Sequence, residues 1–299
     1  MRAIPDTPTA GVTLMTVAML IAPFMDLFAK LLTETVSPGQ ATLGRFVAQS
    51  VVLLPMVLVF GQWGRPGRLH ALAGVLLAMA LLAINSALKV MPIANALAIF
   101  FVEPLILTLL SAYILGEGLG WRRLSAVLAG LVGVLIVLRP NVDAFGWAAA
   151  WPLVTAVCFA CYLLITRVMT RRGGRLALQF WTGIFALVTM AMAGLIGTAL
   201  GIEGITLGPM GWREAGLMAA MGLTAAVSHQ LLVHAFARAE AGALAPLQYL
   251  EILSGTLIGL FVFGDFPDAL TWVGTAIIVA AGIYVFQRER RLARQARMA

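Results

Sequence analysis

Ten apolar runs, each long enough to cross a lipid bilayer as a helix, constrain this chain more than any other feature. A spanning helix needs about 20 mostly apolar residues. Together the runs fill most of the 299 residues and leave no segment for a soluble domain of useful size. The sequence therefore predicts an all-α polytopic membrane protein with ten transmembrane helices. The predicted spans are 11–33, 41–60, 71–90, 93–115, 122–138, 146–168, 177–200, 211–236, 243–263 and 270–287.

Charged residues are scarce along the whole chain. They make up 11% of it, and 61% of the residues are hydrophobic, whereas a soluble protein has about 25% charged residues. This excludes most soluble enzymes and disordered proteins. The formal charge of +7 does not indicate nucleic-acid binding, because arginines that hold cytoplasmic loops inside produce the same excess. The predicted partners are a lipid bilayer and a small-molecule substrate.

The basic residues predict how the chain is oriented in the membrane. If the N-terminus is cytoplasmic, fifteen of the 20 Lys and Arg residues lie in loops or tails on the inner side. Four lie on the outer side, namely Lys30, Lys89, Arg139 and Arg213, and Arg45 lies within a span. Cytoplasmic loops carry such an excess of basic residues. We therefore expect a bacterial inner-membrane protein with both termini in the cytoplasm.

An internal similarity divides the chain into two halves. The segment Glu103–Glu117 resembles the segment Glu251–Asp265, which lies 148 residues later, and both end in glycine followed by an acid. Each half holds five spans, and an odd number requires the second copy to insert upside down. Chance similarity between two apolar helices is the alternative. We expect inverted repeats at 1–140 and 141–299, the second with a basic cytoplasmic tail, around a binding site near the bilayer midplane.

The motifs of the fourth span carry a resemblance to a known family. Phe101-Val102-Glu103-Pro104 lies in the middle of this span and Leu115-Gly116-Glu117 at its end. With ten spans arranged as five plus five, the chain resembles the EamA-type drug/metabolite transporter superfamily, and within it is most similar to YddG-type bacterial amino-acid exporters. The resemblance implies a basket of helices around a central cavity, from which metabolites move outward. The second copy departs from the motif, because no proline follows Glu251.

Two glutamates at matching positions of the halves are the leading candidate site residues. A charge at the centre of a membrane costs about 2.5–3.5 kcal/mol on insertion scales, so such residues face protein or water. Glu103 and Glu251 either line the cavity, where they take up a proton or contact a substrate ammonium, or they have a structural role. Pro104 bends its helix and is a candidate hinge, with a static kink as the alternative.

Uncharged polar and aromatic residues complete the candidate substrate site. His229 and Ser228 lie in span eight, and Asn85 lies near the end of span three. Histidine can donate and accept hydrogen bonds in a polar cavity wall, although a satisfied histidine between helices is the commoner case. Phe100 and Tyr249 are candidates for stacking on a substrate side chain, and packing between helices is their alternative role.

Charged residues nearer the membrane surface form a second group of candidates. Asp26 and Lys30 are four residues apart on one helix, so we expect them to pair with each other. Arg45, in the first turns of span two, can extend to the interface or join them in a three-residue cluster. Lys89, at the outer end of span three, fits an interfacial anchor better than a receptor for carboxylates.

The sequence favours transport over other functions. It has no Walker A motif for ATP, no metal-ligand set and no cofactor motif, and Cys158 and Cys161 lie within a span as inert thiols. We expect a secondary transporter, not an enzyme, that exports small metabolites by alternating access. The family resemblance implies amino acids, including aromatic ones, as substrates, with other drugs or metabolites as the alternative. A passive channel and an intramembrane enzyme are further alternatives from different classes.

Overall fold

A computed structural model describes residues 8–60, 63–115, 121–170, 175–238 and 247–298. Every regular element within these ranges is helical. A 3-10 turn at Gly146–Ala150 precedes α8, and a π-helical turn at Gly259–Phe263 follows α11. The helices are α1 (Pro8–Ile21), α2 (Pro23–Thr33), α3 (Pro38–Phe60), α4 (Arg68–Leu88), α5 (Ile93–Phe100), α6 (Glu103–Leu115), α7 (Trp121–Phe145), α8 (Trp151–Thr170), α9 (Arg175–Leu200), α10 (Trp212–Arg238), α11 (Leu250–Ile258) and α12 (Ala269–Met298).

The described helices confirm a multi-pass helical membrane protein without confirming the number ten. Seven stretches are long and apolar enough to cross a membrane. One of them, Leu124–Thr166, runs through 43 residues and covers the predicted fifth and sixth spans together. The last two predicted spans correspond to the shorter apolar stretches Leu250–Phe263 and Ala269–Tyr284. The start of the predicted ninth span, 243–246, lies outside the described residues, and so do Gly116 and Glu117 of the motif that ends the fourth span.

Three of the predicted spans are interrupted near their middle. A break at Ala22 separates α1 from α2, and Pro23 follows it. Phe101 and Val102 separate α5 from α6, and Pro104 is the second residue of α6. Proline lacks the N–H that would continue the hydrogen bonding of the helix, which explains the first two breaks. The third break falls at Tyr249, immediately before α11, where the sequence has no proline.

The predicted end of the fifth span at residue 138 is wrong, because α7 continues through Pro140 to Phe145. The buried Asn141 side chain stabilises this part of the helix. Its Nδ2 donates to the carbonyl of Val137 at 2.6 Å, and its Oδ1 accepts from Asn95 Nδ2 on α5 at 2.7 Å. The side chain thus supplies hydrogen bonds near a proline that cannot donate one.

The helices of the two halves pack against each other in a reciprocal pattern. In the first half α4 packs on α8 and α9, and in the second half α10 packs on α1 and α3. Glycines allow the close approach. A Cβ at Gly74 would lie 2.6 Å from Cβ of Phe185, and a Cβ at Gly222 would overlap Ala48. Gly222 follows Gly74 by 148 residues, the same offset that relates Glu251 to Glu103.

Several polar contacts join the halves at one end of the bundle, here termed the Lys30 end, where α2 ends and α3 begins. Lys30 Nζ forms a salt bridge with Asp265 Oδ2 at 2.7 Å. Ser37 Oγ donates to the carbonyl of Thr206 at 2.6 Å. The Gln40 side chain exchanges two hydrogen bonds with the backbone of Gly208, at 2.8 and 3.0 Å. The salt bridge holds the end of α2 against the segment after α11, and the contacts of Ser37 and Gln40 hold the start of α3 against the segment that leads into α10.

Candidate functional site

A cavity of about 150 Å³ lies where the helices of the two halves meet. Its wall is built by residues of α2, α3, α4 and α5 from the first half and of α8, α9, α10 and α11 from the second. Three residues with charged side chains line it, namely Asp26, Arg45 and Glu251, together with His229. A polar cavity shared by two halves of a membrane protein is the kind of place where transporters bind their substrates.

The charged residues of the cavity interact with one another. Arg45 lies close enough to Asp26, Tyr162 and His229 for their charges to interact, and Asp26 is similarly close to Glu251. Of the two positions considered for Arg45, the structure shows the one inside the bundle, where Arg45 lines the cavity with Asp26. The expected pair of Asp26 with Lys30 is wrong, because the salt-bridge partner of Lys30 is Asp265.

Several polar atoms of the cavity-lining residues have no protein partner. Arg45 Nε, Gln179 Nε2 and Thr182 Oγ1 are buried and lack a hydrogen bond to any residue that the structure describes. The Gln179 carbonyl oxygen accepts from Gln230 Nε2 at 3.1 Å, which leaves the amide N–H groups of Gln179 available. Buried polar groups are nearly always hydrogen-bonded. These atoms are therefore positioned to bind water or a ligand, and all three can donate a hydrogen bond to an anionic group.

An aromatic wall borders the same cavity. The ring centroids of Phe100 and Phe159 are 5.7 Å apart, and those of Phe159 and Tyr162 are 5.4 Å apart. All three residues line the cavity, and stacking of Phe100 on a substrate stays a prediction. Offset and edge-to-face contacts between rings are favourable at these separations. The wall can accept an aromatic ring of a ligand in the same way.

The uncharged polar candidates have different positions. His229 lines the cavity, as expected of a polar wall residue. Asn85 also lines it, but its Nδ2 donates to Thr42 Oγ1 at 2.8 Å and the side chain is buried. Ser228 does not line the cavity, and its hydroxyl donates to the carbonyl of Ala18 at 3.1 Å, which joins α10 to α1. Ser228 therefore serves helix packing.

The two predicted glutamates occupy different environments. Glu251 lines the cavity, whereas Glu103 does not. Glu103 is 7% exposed, and its Oε1 has no hydrogen-bond partner among the described residues. Tyr249 lies near enough to interact with its charge. Tyr249 also packs on Phe101, with ring centroids 5.6 Å apart. Glu103, Pro104 and Tyr249 thus lie outside the cavity wall, where Glu103 is buried and the other two are partly buried.

Neither of the two lysines among the candidates reaches the cavity. Besides its salt bridge, Lys30 Nζ donates to the carbonyl of Met91 at 3.3 Å and lies 4.5 Å from the ring centroid of Phe263. Lys89 is exposed at the end of α4, the position expected of an interfacial anchor. Lys30 is a contact between the halves and Lys89 a surface residue.

Some residues of the cavity are absent from the sequence-based candidates. Gln49 on α3, Gln179 and Thr182 on α9 and Thr155 on α8 provide its uncharged polar wall. The available signal was an amide side chain inside an otherwise apolar span, which is costly unless it has a partner. Charged residues and histidine are the stronger signal within a span, and these amides carry no charge.

Comparison with known proteins assigns this chain to a family. Residues 9–139 match the model of the EamA-like transporter family. The chain is also similar to the riboflavin transporter of Rhizobium johnstonii, with 31% identity over 226 residues, which cover 76% of this chain and 72% of that protein. The chain belongs to the EamA-like transporter family. It is thus a membrane transporter of small molecules and not an enzyme.

Other relatives extend the similarity over nearly the whole chain. The S-adenosylmethionine uptake transporter of Rickettsia bellii is 26% identical over 289 residues, which cover 95% of this chain and 96% of that protein. The transporter of the same description from Rickettsia prowazekii is 25% identical and covers 94% of both chains. These descriptions do not support the narrower resemblance to amino-acid exporters. A protein of known crystal structure superposes with a TM-score of 0.65 at 22% identity, over 95% of this chain and 99% of that one, which shows the fold alone.

Proposed function

We propose that this member of the EamA-like family is a secondary transporter for a small metabolite with an α-amino-acid group and an aromatic ring. The observation that carries the proposal is the cavity, which combines two acids, one arginine and an aromatic wall. The aromatic amino acids implied by the family resemblance have both groups. S-adenosylmethionine, named for the Rickettsia relatives, has both as well, since it combines an adenine ring with an amino acid.

The positions of the charges suggest how such a substrate binds. The substrate carboxylate accepts hydrogen bonds from Arg45, Gln179 and Thr182, which have donor atoms without protein partners in the described part of the chain. The substrate ammonium faces Asp26 and Glu251. Opposite charges at the two ends of the site fix the orientation of the substrate, and the ring then lies against the aromatic wall.

Transport by alternating access fits the relation between the two halves. The breaks before Glu103 and Glu251, and the close approaches at Gly74 and Gly222, recur at one offset in the chain. This recurrence, with the reciprocal packing of α4 and α10, supports our proposal of inverted repeats at 1–140 and 141–299. Such halves rock around a fixed site. The salt bridge between Lys30 and Asp265 must break for the cavity to open at that end.

Direction and orientation also belong to the proposal. A secondary transporter moves its substrate down the combined gradients of the substrate and any coupled ion. The same site can therefore serve export or uptake, and the gradients decide which one occurs. Export remains our prediction, although the Rickettsia relatives are described as uptake transporters. The excess of basic residues on one side supports cytoplasmic termini in a bacterial inner membrane. Proton exchange at Glu103 or Glu251 remains a hypothesis for coupling.

Counterflow in proteoliposomes tests the proposed substrate class. Liposomes that contain the purified full-length protein are loaded with unlabelled substrate, and uptake of labelled aromatic amino acids, S-adenosylmethionine or riboflavin is measured. We expect uptake of at least one substrate that has an amino-acid group. Uptake of riboflavin alone, which has an aromatic ring but no amino-acid group, would show that the charged residues of the cavity do not select the substrate.

A pair of arginine variants assigns this activity to the cavity. Arg45→Gln removes the arginine that lines the cavity in the described part of the chain, and we expect it to lower counterflow at least about tenfold, because a charged partner of the substrate is lost. Arg213→Gln is the matched control. Arg213 is half exposed and lies 3.6 Å from Glu34 at the Lys30 end, so its removal should leave counterflow nearly unchanged. Equal activity in both variants would contradict the proposed binding mode.

A further inference from the structure

The charges of the cavity do not balance. Asp26 and Glu251 provide two carboxylates, whereas Arg45 provides one guanidinium. When Asp26 and Glu251 are both ionised and His229 is neutral, the described lining has one negative charge in excess. The Arg45 charge acts on Asp26 and offsets it. The charge of Asp26 acts on Glu251 and repels it.

Glu251 therefore lacks the compensation that Asp26 has. An ionised carboxylate inside a membrane protein is costly unless a cation or hydrogen-bond donors face it. No ion pair involves Glu251 among the residues that the structure describes. A positive charge on a bound substrate would supply the missing partner.

We infer that Glu251 receives a second positive charge of the substrate, so that the cavity selects a monocation that contains an amino-acid group over a neutral zwitterion. This inference rests on the proposed function and specifies its substrate class. The amino-acid group of the substrate places one positive and one negative charge in the site, which leaves the excess carboxylate unpaired. A sulfonium or a second ammonium group completes the balance.

The aromatic wall favours the same kind of ligand. Phe100, Phe159 and Tyr162 line the cavity together with Glu251. The face of an aromatic ring attracts a cation, and the attraction increases when the cation is removed from water. A weakly hydrated sulfonium thus finds both a carboxylate and aromatic faces within the same site.

Two ligands that differ by a single methyl group isolate this charge. S-adenosylmethionine has a sulfonium and is a monocation at neutral pH, whereas S-adenosylhomocysteine has a neutral thioether and is otherwise identical. Their rings and amino-acid groups make the same contacts. Any difference in affinity therefore measures how the site responds to one positive charge, and not how well it fits the ring or the carboxylate.

The test is competition of both compounds in the counterflow assay with the full-length protein. The labelled substrate is one that the wild-type protein transports, and each compound is added as an unlabelled competitor. We expect the wild-type protein to bind S-adenosylmethionine at least about tenfold more tightly than S-adenosylhomocysteine, because one partner of a buried charge pair is missing from the latter. In Glu251→Gln the ratio should approach one.

Two further variants control for general damage. Glu251→Asp keeps the charge and should keep most of the preference for the monocation. Glu103→Gln removes a buried acid that does not line the cavity, and it should keep the wild-type ratio. The wild-type ratio alone tests the inference if Glu251→Gln does not fold, which is checked by size-exclusion chromatography.

The outcomes separate the inference from the proposed function. If the wild-type protein transports amino-acid compounds but binds both competitors equally, the inference is wrong and the proposed function stands. A ratio unchanged in a folded Glu251→Gln variant would also overturn the assignment to Glu251. If no compound with an amino-acid group is transported or competes, the proposed function fails and the inference fails with it.

Discussion

At the scale of single residues, the polar side chains inside the helices differ in what their polar atoms contact. Asn85 and Ser228 donate to protein acceptors on neighbouring helices, so their hydrogen bonds hold the bundle together. Arg45 and Gln179 retain buried nitrogen atoms without a partner in the described part of the chain. The first pair stabilises the fold, and the second pair is available to a ligand. We therefore expect substitutions in the first pair to lower stability and substitutions in the second pair to lower transport.

The compensating pair of the cavity gives the first prediction. Asp26→Asn leaves the Arg45 charge without its acid. We expect the free energy of unfolding to fall by about 1–2 kcal/mol. The loss is smaller than for a fully buried pair, because both side chains are partly exposed. The double variant Asp26→Asn, Arg45→Met removes both charges and should regain most of the lost stability without regaining transport. Thermal unfolding in detergent measures the first effect and counterflow the second.

Ser228→Ala should lower stability and leave transport unchanged. The substitution removes the hydrogen bond to the carbonyl of Ala18 and should lower the free energy of unfolding by about 1 kcal/mol. The KM for substrate should stay unchanged, because Ser228 does not line the cavity. A severalfold change in KM with unchanged thermal unfolding would place this hydroxyl in the substrate site.

Sequence reasoning at this scale found costly residues but not their surroundings. The cost of a charge or histidine within a span identified Glu251 and His229, which line the cavity, and equally Glu103, which does not. Hydropathy gives the depth of a residue along its helix. The direction in which a side chain points depends on how that helix is rotated against its neighbours, and a single sequence does not contain this information.

At the scale of helices, the breaks in α5–α6 and before α11 show two routes to an interruption. The first break was predictable, because Pro104 cannot continue the backbone hydrogen bonds of a helix. The second break, at Tyr249, has no such local cause. There the Tyr249 ring packs on Phe101, and its hydroxyl occupies the space that a side chain at Gly282 would need. This break thus coincides with tertiary contacts of Tyr249 and not with a proline that follows it.

Two glycines of α10 provide a matched test of helix packing. A methyl group at Gly222 would overlap Ala48 on α3, whereas at Gly216 nothing lies within 4 Å. We expect Gly222→Ala to lower the thermal midpoint by several degrees, because the backbones approach too closely for a side chain. Gly216→Ala should leave the midpoint unchanged or raise it, since alanine favours a helix by about 1 kcal/mol over glycine. Equal midpoints for the two variants would contradict the close contact between α10 and α3.

At the scale of the whole molecule, the Lys30 end is the part where polar contacts between the halves are best defined. The Lys30–Asp265 salt bridge joins α2 to the segment after α11 and is partly exposed. An ion pair of this kind contributes up to about 1 kcal/mol. That energy is small enough for the two halves to separate at this end during transport.

Breaking this salt bridge should favour opening at the Lys30 end. The assay uses a protein in which Cys158 and Cys161 are changed to serine and Ile84, which lines the cavity, is changed to cysteine. Labelling of this cysteine measures how accessible the cavity is from outside. In this protein we expect Lys30→Met to increase the rate of labelling by a membrane-impermeant maleimide about two- to fivefold, the ratio that corresponds to such an ion pair. The reversed pair Lys30→Asp, Asp265→Lys should return the rate toward its starting value. An unchanged rate in Lys30→Met would exclude the pair as part of a gate.

The sequence predicted the membrane class, the helical architecture and the family, because apolar runs and short motifs are local properties. It did not predict that α7 continues past Pro140, since the hydrogen bonds from Asn141 to Val137 and Asn95 depend on the folded bundle. Nor did it predict the salt bridge between Lys30 and Asp265. Those residues are 235 positions apart, and the nearer acid at Asp26 suggested a local pair.

The central claim is that the charged cavity between the halves holds the substrate. Its most direct test is equilibrium binding of labelled S-adenosylmethionine and labelled aromatic amino acids to the purified double variant Asp26→Asn, Arg45→Met. Our account predicts that this variant unfolds near the wild-type temperature but binds none of the ligands that the wild-type protein binds. Binding with wild-type affinity by the double variant would contradict it.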